Sequence, residues 1–339
     1  MRIASILKRH ELYLIVIIAL LSVLITSINH HFATLENLLD MLKLSSFTGV
    51  LAVGVLVVLL SGGIDLSFTA IATVAMYLMG SYILTFGGNL LVAILIVAVT
   101  GIVLGAINGV IVHKLEIPAI IVTLGTLSIF YGALMVIAQG RDIYNLPQWF
   151  RDFAKLNLVS WRNVGGSTYG ISIFLVIWAV VLAVTWALLR YASVGRGVFA
   201  IGGSPLAASR AGYRIGRIQL FVYCYIGMLS GIASMIHVGL VDQIAPHSIV
   251  GKELVVIAAV VLGGASLSGG KGSVLGTFLG VFLFAVIGNG LTLTRVTSYW
   301  QDAVTGIVLL LSILIAAFRE RRREKSLVRV NVEEGKAKA

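Results

Sequence analysis

Long apolar runs separated by short polar segments make up most of this 339-residue chain. A helix needs about 20 apolar residues to cross a bilayer, and fewer where the helix is short or broken. By this criterion the pattern predicts ten spans, at about residues 11–28, 46–60, 68–84, 90–112, 118–138, 169–189, 218–239, 253–262, 273–293 and 299–318. The fold class that we predict is therefore all-α, a polytopic transmembrane helix bundle.

Charge and composition add an orientation to this bundle. Only 12% of the residues are charged, whereas a soluble domain has about 25%. The net charge is +11, and Lys and Arg favour cytoplasmic loops, so we expect both termini and residues 190–217 to be cytoplasmic. The basic charge indicates anionic membrane lipid as a partner and not nucleic acid. We divide the chain into a transmembrane domain at 1–318, with 190–217 as its central cytoplasmic loop, and a basic cytoplasmic tail at 319–339.

The central loop, residues 190–217, contains five arginines, six glycines and no acidic residue. Ser204 is a good helix N-cap, Pro205 suits the first helical position, and Gly212 suits a helix end. These residues predict a short helix at 205–211 with small side chains, which is suited to close docking against a soluble partner. The alternative is a charged connector without a partner.

A weak internal repeat relates the two halves of the chain. Residues 60–67 (LSGGIDLS) resemble residues 261–268 (VLGGASLS), and each segment follows a short valine-rich run. Apolar segments interrupted by glycines at matching places in two halves indicate a transport path. The alternative is that Gly-Gly is simply common in turns. Glycines four residues apart, at 101/105/109, 227/231 and 272/276/280, also predict closely packed helices.

A few polar residues lie among apolar neighbours and are candidates for the translocation path. Asp65 either caps the third span through the amides of the next turn or lines the path. We favour the cap, although the two roles can coexist. Amides and hydroxyls within a bundle bond across helices, and packing is the more common role for any one of them. The candidates are Asp65, Asn108, Thr123, Thr126 and Asn289.

The chain lacks the residues that would supply energy or chemistry. Its single cysteine, Cys224, excludes an internal disulfide and a cysteine-based metal cluster. Lys271 is followed by glycine, whereas a Walker A motif requires Ser or Thr there. Acids for a proton relay are nearly absent, and no nucleophile, base or metal constellation supports a membrane enzyme. We expect a non-enzymatic transport protein powered by another subunit. The alternative is an ion-coupled secondary carrier acting alone, which would transport its solute without an ATPase.

Several segments, in order over nearly the whole chain, carry a family resemblance. They are residues 61–67 (SGGIDLS), 122–127 (VTLGTL), Gly195-Arg196, Gly202-Gly203, Ala207-Ala208 with Gly212, residues 258–264 (AAVVLGG), 266–272 (SLSGGKG) and 288–291 (GNGL). With these segments the chain resembles the permease subunits of bacterial ABC importers for sugars of the ribose, arabinose, xylose and galactose type. Ser204 stands where that family commonly has Asn.

The resemblance implies a set of partners and a location. The partners are a second permease subunit, identical or homologous, a cytoplasmic ABC ATPase that carries the ATP and Mg²⁺, and a periplasmic sugar-binding protein. The chain itself would hold no cofactor or metal and would lie in the bacterial inner membrane. The central loop would couple the ATPase to the path through Arg196, Gly202, Gly203, Ser204, Ala207, Ala208 and Gly212. The sequence does not identify the sugar.

Overall fold

The computed structural model describes residues 9–162, 166, 168–297, 300, 303–304, 306–308, 310–311 and 314. Its helices and strands are α1 (Arg9–Ile28), a 3-10 turn (His30–Ala33), α2 (Leu35–Leu60), α3 (Phe68–Phe86), α4 (Leu90–Leu115), α5 (Ala119–Ala138), α6 (Gln148–Ala154), β1 (Asn157–Arg162), β2 (Thr168–Ser172), α7 (Ile173–Tyr191), α8 (Ser193–Gly203), α9 (Pro205–Arg210), α10 (Ile215–Val241), α11 (Glu253–Leu262) and α12 (Val274–Leu293).

The predicted all-α membrane bundle is confirmed. Within the described residues, eight helices are long and apolar enough to cross a membrane. The span predicted at 253–262 is the ten-residue helix α11. The span predicted at 299–318 lies mostly outside the described residues, and the tail at 319–339 lies entirely outside them.

Helix α2 corrects one expectation. The sequence predicts a short span at 46–60, but the structure has a single longer helix there, Leu35–Leu60. No glycine or proline occurs between 35 and 48, so nothing interrupts the helical hydrogen bonds there. The Thr34 side chain accepts a hydrogen bond from the backbone N–H of Asn37 and begins the helix. The second half of α2 is buried.

Helices α4 and α10 pack backbone against backbone, as the glycine ladders predict. A Cβ atom added at Gly101 would lie 2.6 Å from the carbonyl carbon of Gly227. A Cβ atom at Gly105 would lie 2.9 Å from the carbonyl carbon of Tyr223, so a larger residue at either position would force the helices apart. The glycines of the third ladder do not all lie on one helix. Gly272 precedes α12, whereas Gly276 contacts Gly263 just after α11 and Gly280 contacts Ala259 in α11.

The two ends of the bundle differ in structure. At one end, where α5 and α10 end, lie α6 and the antiparallel hairpin β1–β2, which the sequence did not predict. An isolated β-bridge between Ile143 and Ile244 and an ion pair between Arg151 and Asp242, 3.2 Å apart, join the connections at this end. At the other end, where α10 begins, α8 and α9 connect α7 to α10.

The predicted short helix of the central loop is α9. The Ser204 side chain accepts a hydrogen bond from the Ala207 N–H over 3.3 Å, and Pro205 occupies the first turn. Gly212 has a φ of 85°, which suits a glycine just beyond a helix end. The sequence missed α8 because its glycines suggest a loop. In the structure those glycines permit close contacts, for example between Gly195 and the backbone of Leu189.

Candidate functional site

Three chain segments meet at five glycines, Gly62, Gly202, Gly203, Gly269 and Gly270, which we call the glycine junction. The backbone N–H of Gly270 donates a hydrogen bond to the carbonyl oxygen of Leu60 over 3.0 Å. A Cβ atom at Gly269 would lie 2.8 Å from the Cα atom of Gly62 and 2.9 Å from that of Gly202. Such distances are too short for any side chain. The end of α8 therefore touches both connections, the one after α2 and the one after α11.

The glycine junction brings the two segments of the weak internal repeat close together in space. The two related segments, residues 60–67 and 261–268, are about 200 residues apart in sequence. The structure brings Leu60 and Gly62, at the beginning of the first segment, together with Gly269 and Gly270, just after the second, and Gly202 of the central loop contacts both. A displacement of α8 would therefore act on both connections at once.

A buried polar network begins three residues beyond Gly62. The Asp65 carboxylate oxygen Oδ1 accepts hydrogen bonds from the Ser67 N–H and hydroxyl, at 2.7 and 2.6 Å. The Asn108 side-chain amide in turn donates to the Ser67 hydroxyl oxygen over 2.7 Å. All three residues are buried. Within the described residues, Asp65 Oδ2 and Asn108 Oδ1 have no hydrogen-bond partner.

Helix α5 joins this network through Thr123. The backbone N–H of Leu66 donates to the Thr123 hydroxyl oxygen over 3.1 Å, and that hydroxyl donates to the carbonyl oxygen of Ile64 over 3.2 Å. The Thr126 hydroxyl donates to the carbonyl oxygen of Thr123. We call this set of residues the Asp65 network; it consists of Asp65, Ser67, Asn108, Thr123 and Thr126. It joins the connection before α3 to α4 and α5.

The role of Asp65 differs in detail from the cap that we favoured. The residue at the start of α3 is Ser67, whose side chain makes no capping hydrogen bond. Asp65 instead accepts from the amide two residues ahead, a turn that Asp commonly forms. Its carboxylate therefore holds the connection in shape, and its second oxygen, Oδ2, has no hydrogen-bond partner among the described residues.

Asn289 lies away from the other path candidates. Its side-chain amide donates to Asn37 Oδ1 over 2.9 Å, and the Asn37 amide donates back to Asn289 Oδ1 over 3.0 Å. This reciprocal pair joins α2 to α12. The arrangement favours a packing role for Asn289, since both amides satisfy each other.

The coupling candidates differ in how far they are exposed. Gly202 belongs to the glycine junction, and Arg196 is exposed, with its guanidinium donating to the carbonyl oxygen of Tyr191 over 3.1 Å. Ala207 is exposed, whereas Ala208 is buried in the hydrophobic core of the chain. Of the two alanines, only Ala207 faces outward.

Two residues that sequence reasoning missed stand out beside these candidates. Leu206, in the first turn of α9, is 65% exposed. Sequence reasoning could have noticed Leu206 because it is the one large apolar side chain in a helix of otherwise small or polar residues. Tyr223 is buried in α10, and a tyrosine in an apolar run is a signal because its hydroxyl needs a polar environment.

A cavity of about 460 Å³ adjoins the glycine junction; we call it the junction cavity. It lies between the ends of α4 and α8 and the beginnings of α5, α9 and α10. Gly62, Gly63, Ile201 and Gly202 form the side next to the junction. The polar side chains that line the cavity are those of Ser61, His113, Glu116, Gln219, Tyr223 and Ser268.

Comparisons with known proteins agree with this architecture. Residues 37–313 match the family model described as branched-chain amino acid transport system / permease component. The ribose import permease protein of Haemophilus influenzae is 34% identical over 308 residues, covering 91% of this chain and 92% of that protein. The chain belongs to this permease family.

Other relatives extend the comparison. The ribose import permease protein of Bacillus subtilis is 34% identical over 298 residues, which cover 87% of this chain and 89% of that protein. The autoinducer 2 import system permease protein of Photorhabdus luminescens is 31% identical over 303 residues, 89% of this chain and 88% of that protein. No solved structure matches the chain significantly. The resemblance to bacterial importer permeases is confirmed.

Proposed function

We propose that the protein is the membrane-spanning permease subunit of an ATP-driven ABC importer for a sugar, a pentose, a hexose or a related compound. One observation carries this proposal, the 34% identity to a ribose import permease along nine-tenths of both chains. The multi-pass helix bundle supports it, because such a subunit has to enclose a path across a membrane. The energy comes from ATP and Mg²⁺ bound to a separate ATPase.

The distribution of charged residues supports a sidedness for the bundle. We place the end with α8 and α9 in the cytoplasm of the cell, together with both termini, because arginines concentrate in residues 190–217. The location that we propose is the inner membrane, as the resemblance to bacterial importer permeases implies. The end with the hairpin β1–β2 faces outward, where the periplasmic sugar-binding protein docks.

The ATPase contacts the exposed side of α9. Leu206 and Ala207 project from this helix, and Ser204 and Gly212 define its two ends. On the inner side, Gly202 transmits the displacement of α8 to the glycine junction. The coupling element is therefore α8 together with α9, and a second permease subunit, identical or homologous, completes the importer.

The Asp65 network contributes to the translocation path near its cytoplasmic end. Asp65 Oδ2 and Asn108 Oδ1 are buried acceptors without a protein partner among the described residues. A buried acceptor that lacks a partner is costly, and a sugar hydroxyl passing by is a suitable donor. Asn289 has no part in this proposal, because it is paired with Asn37.

The experiment that tests the function is uptake into proteoliposomes. The permease is reconstituted with its ATPase and its binding protein, and radiolabelled ribose, arabinose, xylose and galactose are supplied from the binding-protein side. ATP-dependent accumulation of one of these sugars is the expected result, and it should vanish when the ATPase is omitted. Accumulation by the permease alone under a proton or sodium gradient would establish the secondary carrier instead.

A further inference from the structure

The junction cavity is built like a binding site for a small molecule. Its volume of about 460 Å³ lies within the range of ~300–1,000 Å³ typical of ligand sites. Its mouth includes the exposed residues His113, Glu116 and Pro205, whereas its floor includes the buried residue Tyr223. It therefore leads from the surface towards the interior of the bundle.

Within the part of the chain that the structure describes, the hydroxyl group of Tyr223 at the floor makes no hydrogen bond to the protein. Tyr223 is 2% exposed. Its hydroxyl oxygen lies close to Gly63, since a Cβ atom added at Gly63 would be 3.0 Å from it. A buried tyrosine hydroxyl usually finds a hydrogen-bond partner. Here the open direction is the cavity, so a ligand in the cavity can supply that partner.

Two further polar groups at the wall are held in place. The His113 Nδ1 and Gln219 Oε1 atoms are 3.1 Å apart and hydrogen-bonded. The His113 ring also packs on Gly216, where a side chain would overlap it. Groups fixed in this way lose little conformational freedom when a ligand binds, which favours binding.

The lining selects a neutral ligand. Among the described residues, Glu116 is the one acidic residue in the lining, and no lysine or arginine belongs to it, so a phosphate or carboxylate group would find no lysine or arginine there to pair with. Apolar side chains, among them Val112, Ile117 and Ile215, alternate with the polar groups. A monosaccharide has the same mixture of hydroxyl groups and C–H faces.

We propose that the junction cavity is a cytoplasmic binding site for a neutral monosaccharide, and that its occupation slows transport. The proposal rests on the proposed function for the side of the membrane and for the class of ligand. The mechanism follows from the walls of the cavity. One wall belongs to the coupling element and includes Ile201, Gly202 and Pro205. The other wall belongs to the connection that carries Asp65 and includes Ser61, Gly62 and Gly63. A sugar that contacts both walls holds them together and opposes their relative movement.

Binding is measured by protection of a cysteine, which requires neither ATP nor transport. In a Cys224→Ser background, Ser61→Cys places a thiol in the cavity wall, and Pro205→Cys is a second reporter at the mouth. The matched control is Ser209→Cys, which is exposed on α9 outside the cavity lining. Maleimide labelling of the purified full-length permease in nanodiscs is followed with ribose, arabinose, xylose, galactose and ribose 5-phosphate.

Protection of a cavity thiol by one of the neutral sugars is the expected result. Labelling should slow ~10-fold at a sugar concentration ten times the Kd, with no change at Ser209→Cys. Gln219→Ala should remove the protection, since it deletes a lining group. Labelling rates that no neutral sugar changes at either reporter would overturn the proposal, and so would stronger protection by ribose 5-phosphate.

The effect on transport is measured separately in proteoliposomes that contain the full importer. Sugar loaded on the ATPase side should lower the initial rate of uptake, and Gln219→Ala should abolish this inhibition. An unchanged rate in preloaded vesicles, despite protection of the thiol, would refute the regulatory effect. The labelling assay is independent of uptake, so a failure of the proposed sugar import and a failure of the cavity proposal give different results.

Discussion

Gly202→Ala tests whether the glycine junction couples the central loop to the rest of the permease. An alanine Cβ atom at this position would overlap the carbonyl oxygen of Leu60 and lie 2.6 Å from the backbone nitrogen of Gly270. Ordinary contact begins near 3.4 Å, so these backbones must separate by about 0.8 Å or more. None of the opposing atoms belongs to a flexible side chain, and the cost therefore falls on the backbone.

The magnitude follows from three effects. Overpacking costs ~1–3 kcal/mol, and loss of the hydrogen bond between the Gly270 N–H and the Leu60 carbonyl costs ~0.5–1.5 kcal/mol. Replacing glycine by alanine within a helix stabilises the folded state by ~0.5–1 kcal/mol. The net destabilisation is roughly 2 kcal/mol, which leaves the bundle folded but separates α8 from the two connections. We expect ATP hydrolysis to continue while ATP-driven uptake falls.

The matched control is the neighbouring residue. Gly203 belongs to the junction through its backbone alone. Among the described residues, a Cβ atom there would meet nothing within 4 Å, so Gly203→Ala should unfold at the same temperature as the original protein and transport normally. The assays are thermal unfolding of the purified permease, ATPase activity and uptake in proteoliposomes. Equal uptake and equal unfolding temperatures for Gly202→Ala and Gly203→Ala would refute the role of the junction.

Three more predictions concern other parts of the chain. Asp65→Leu should reduce the amount of folded protein, because the buried Ser67 N–H and hydroxyl lose their acceptor at ~1–3 kcal/mol each, whereas Asp65→Asn keeps one acceptor oxygen and should accumulate. Membrane abundance by immunoblot checks this, and equal abundance of the two variants would contradict it. Ala207→Trp should leave the permease stable and abolish uptake by displacing the ATPase, while Ala208→Trp, at a buried position, should unfold the end of the bundle. Co-purification of the ATPase with the Ala207→Trp variant at full uptake would exclude α9 as the contact. Cysteines at Ser204 and Ser326 should react only with reagent supplied from the cytoplasmic side; Ser326 lies outside the described residues, and labelling from outside in intact cells would reverse the topology.

The sequence predicted those features that depend on local chemistry. The apolar runs predicted the long helices, Ser204 and Pro205 predicted the beginning of α9, and glycines four residues apart predicted the contact between α4 and α10. Each of these features requires only residues within one or two turns of a helix. Local propensity and periodicity are therefore sufficient to predict them.

The features that were missed depend on residues far apart in the chain. The glycine junction joins segments around residues 62, 202 and 269, and no property of a single Gly-Gly pair reveals which backbone approaches it. Asn289 was predicted to line the path for the same reason. A polar residue in an apolar run does not reveal its partner, which for Asn289 is Asn37. The sequence also does not show that Ala208 is buried while Ala207 is exposed, a difference that arises because adjacent helical residues point about 100° apart.

Helix α2 restricts the movements that are open to the permease. From Gly49 to Leu60 every residue is buried, with α7, α10, α11 and α12 packed around the helix. A side chain enclosed on all sides has little free volume, so rotation or sliding of α2 would disrupt the core. The helix behaves as a fixed axis, and changes in shape belong to hinges at its ends. The nearest such hinge is Gly62, whose φ of 84° suits glycine. We therefore expect that any alternation of the path is a small swing of the inner connections about a stationary centre.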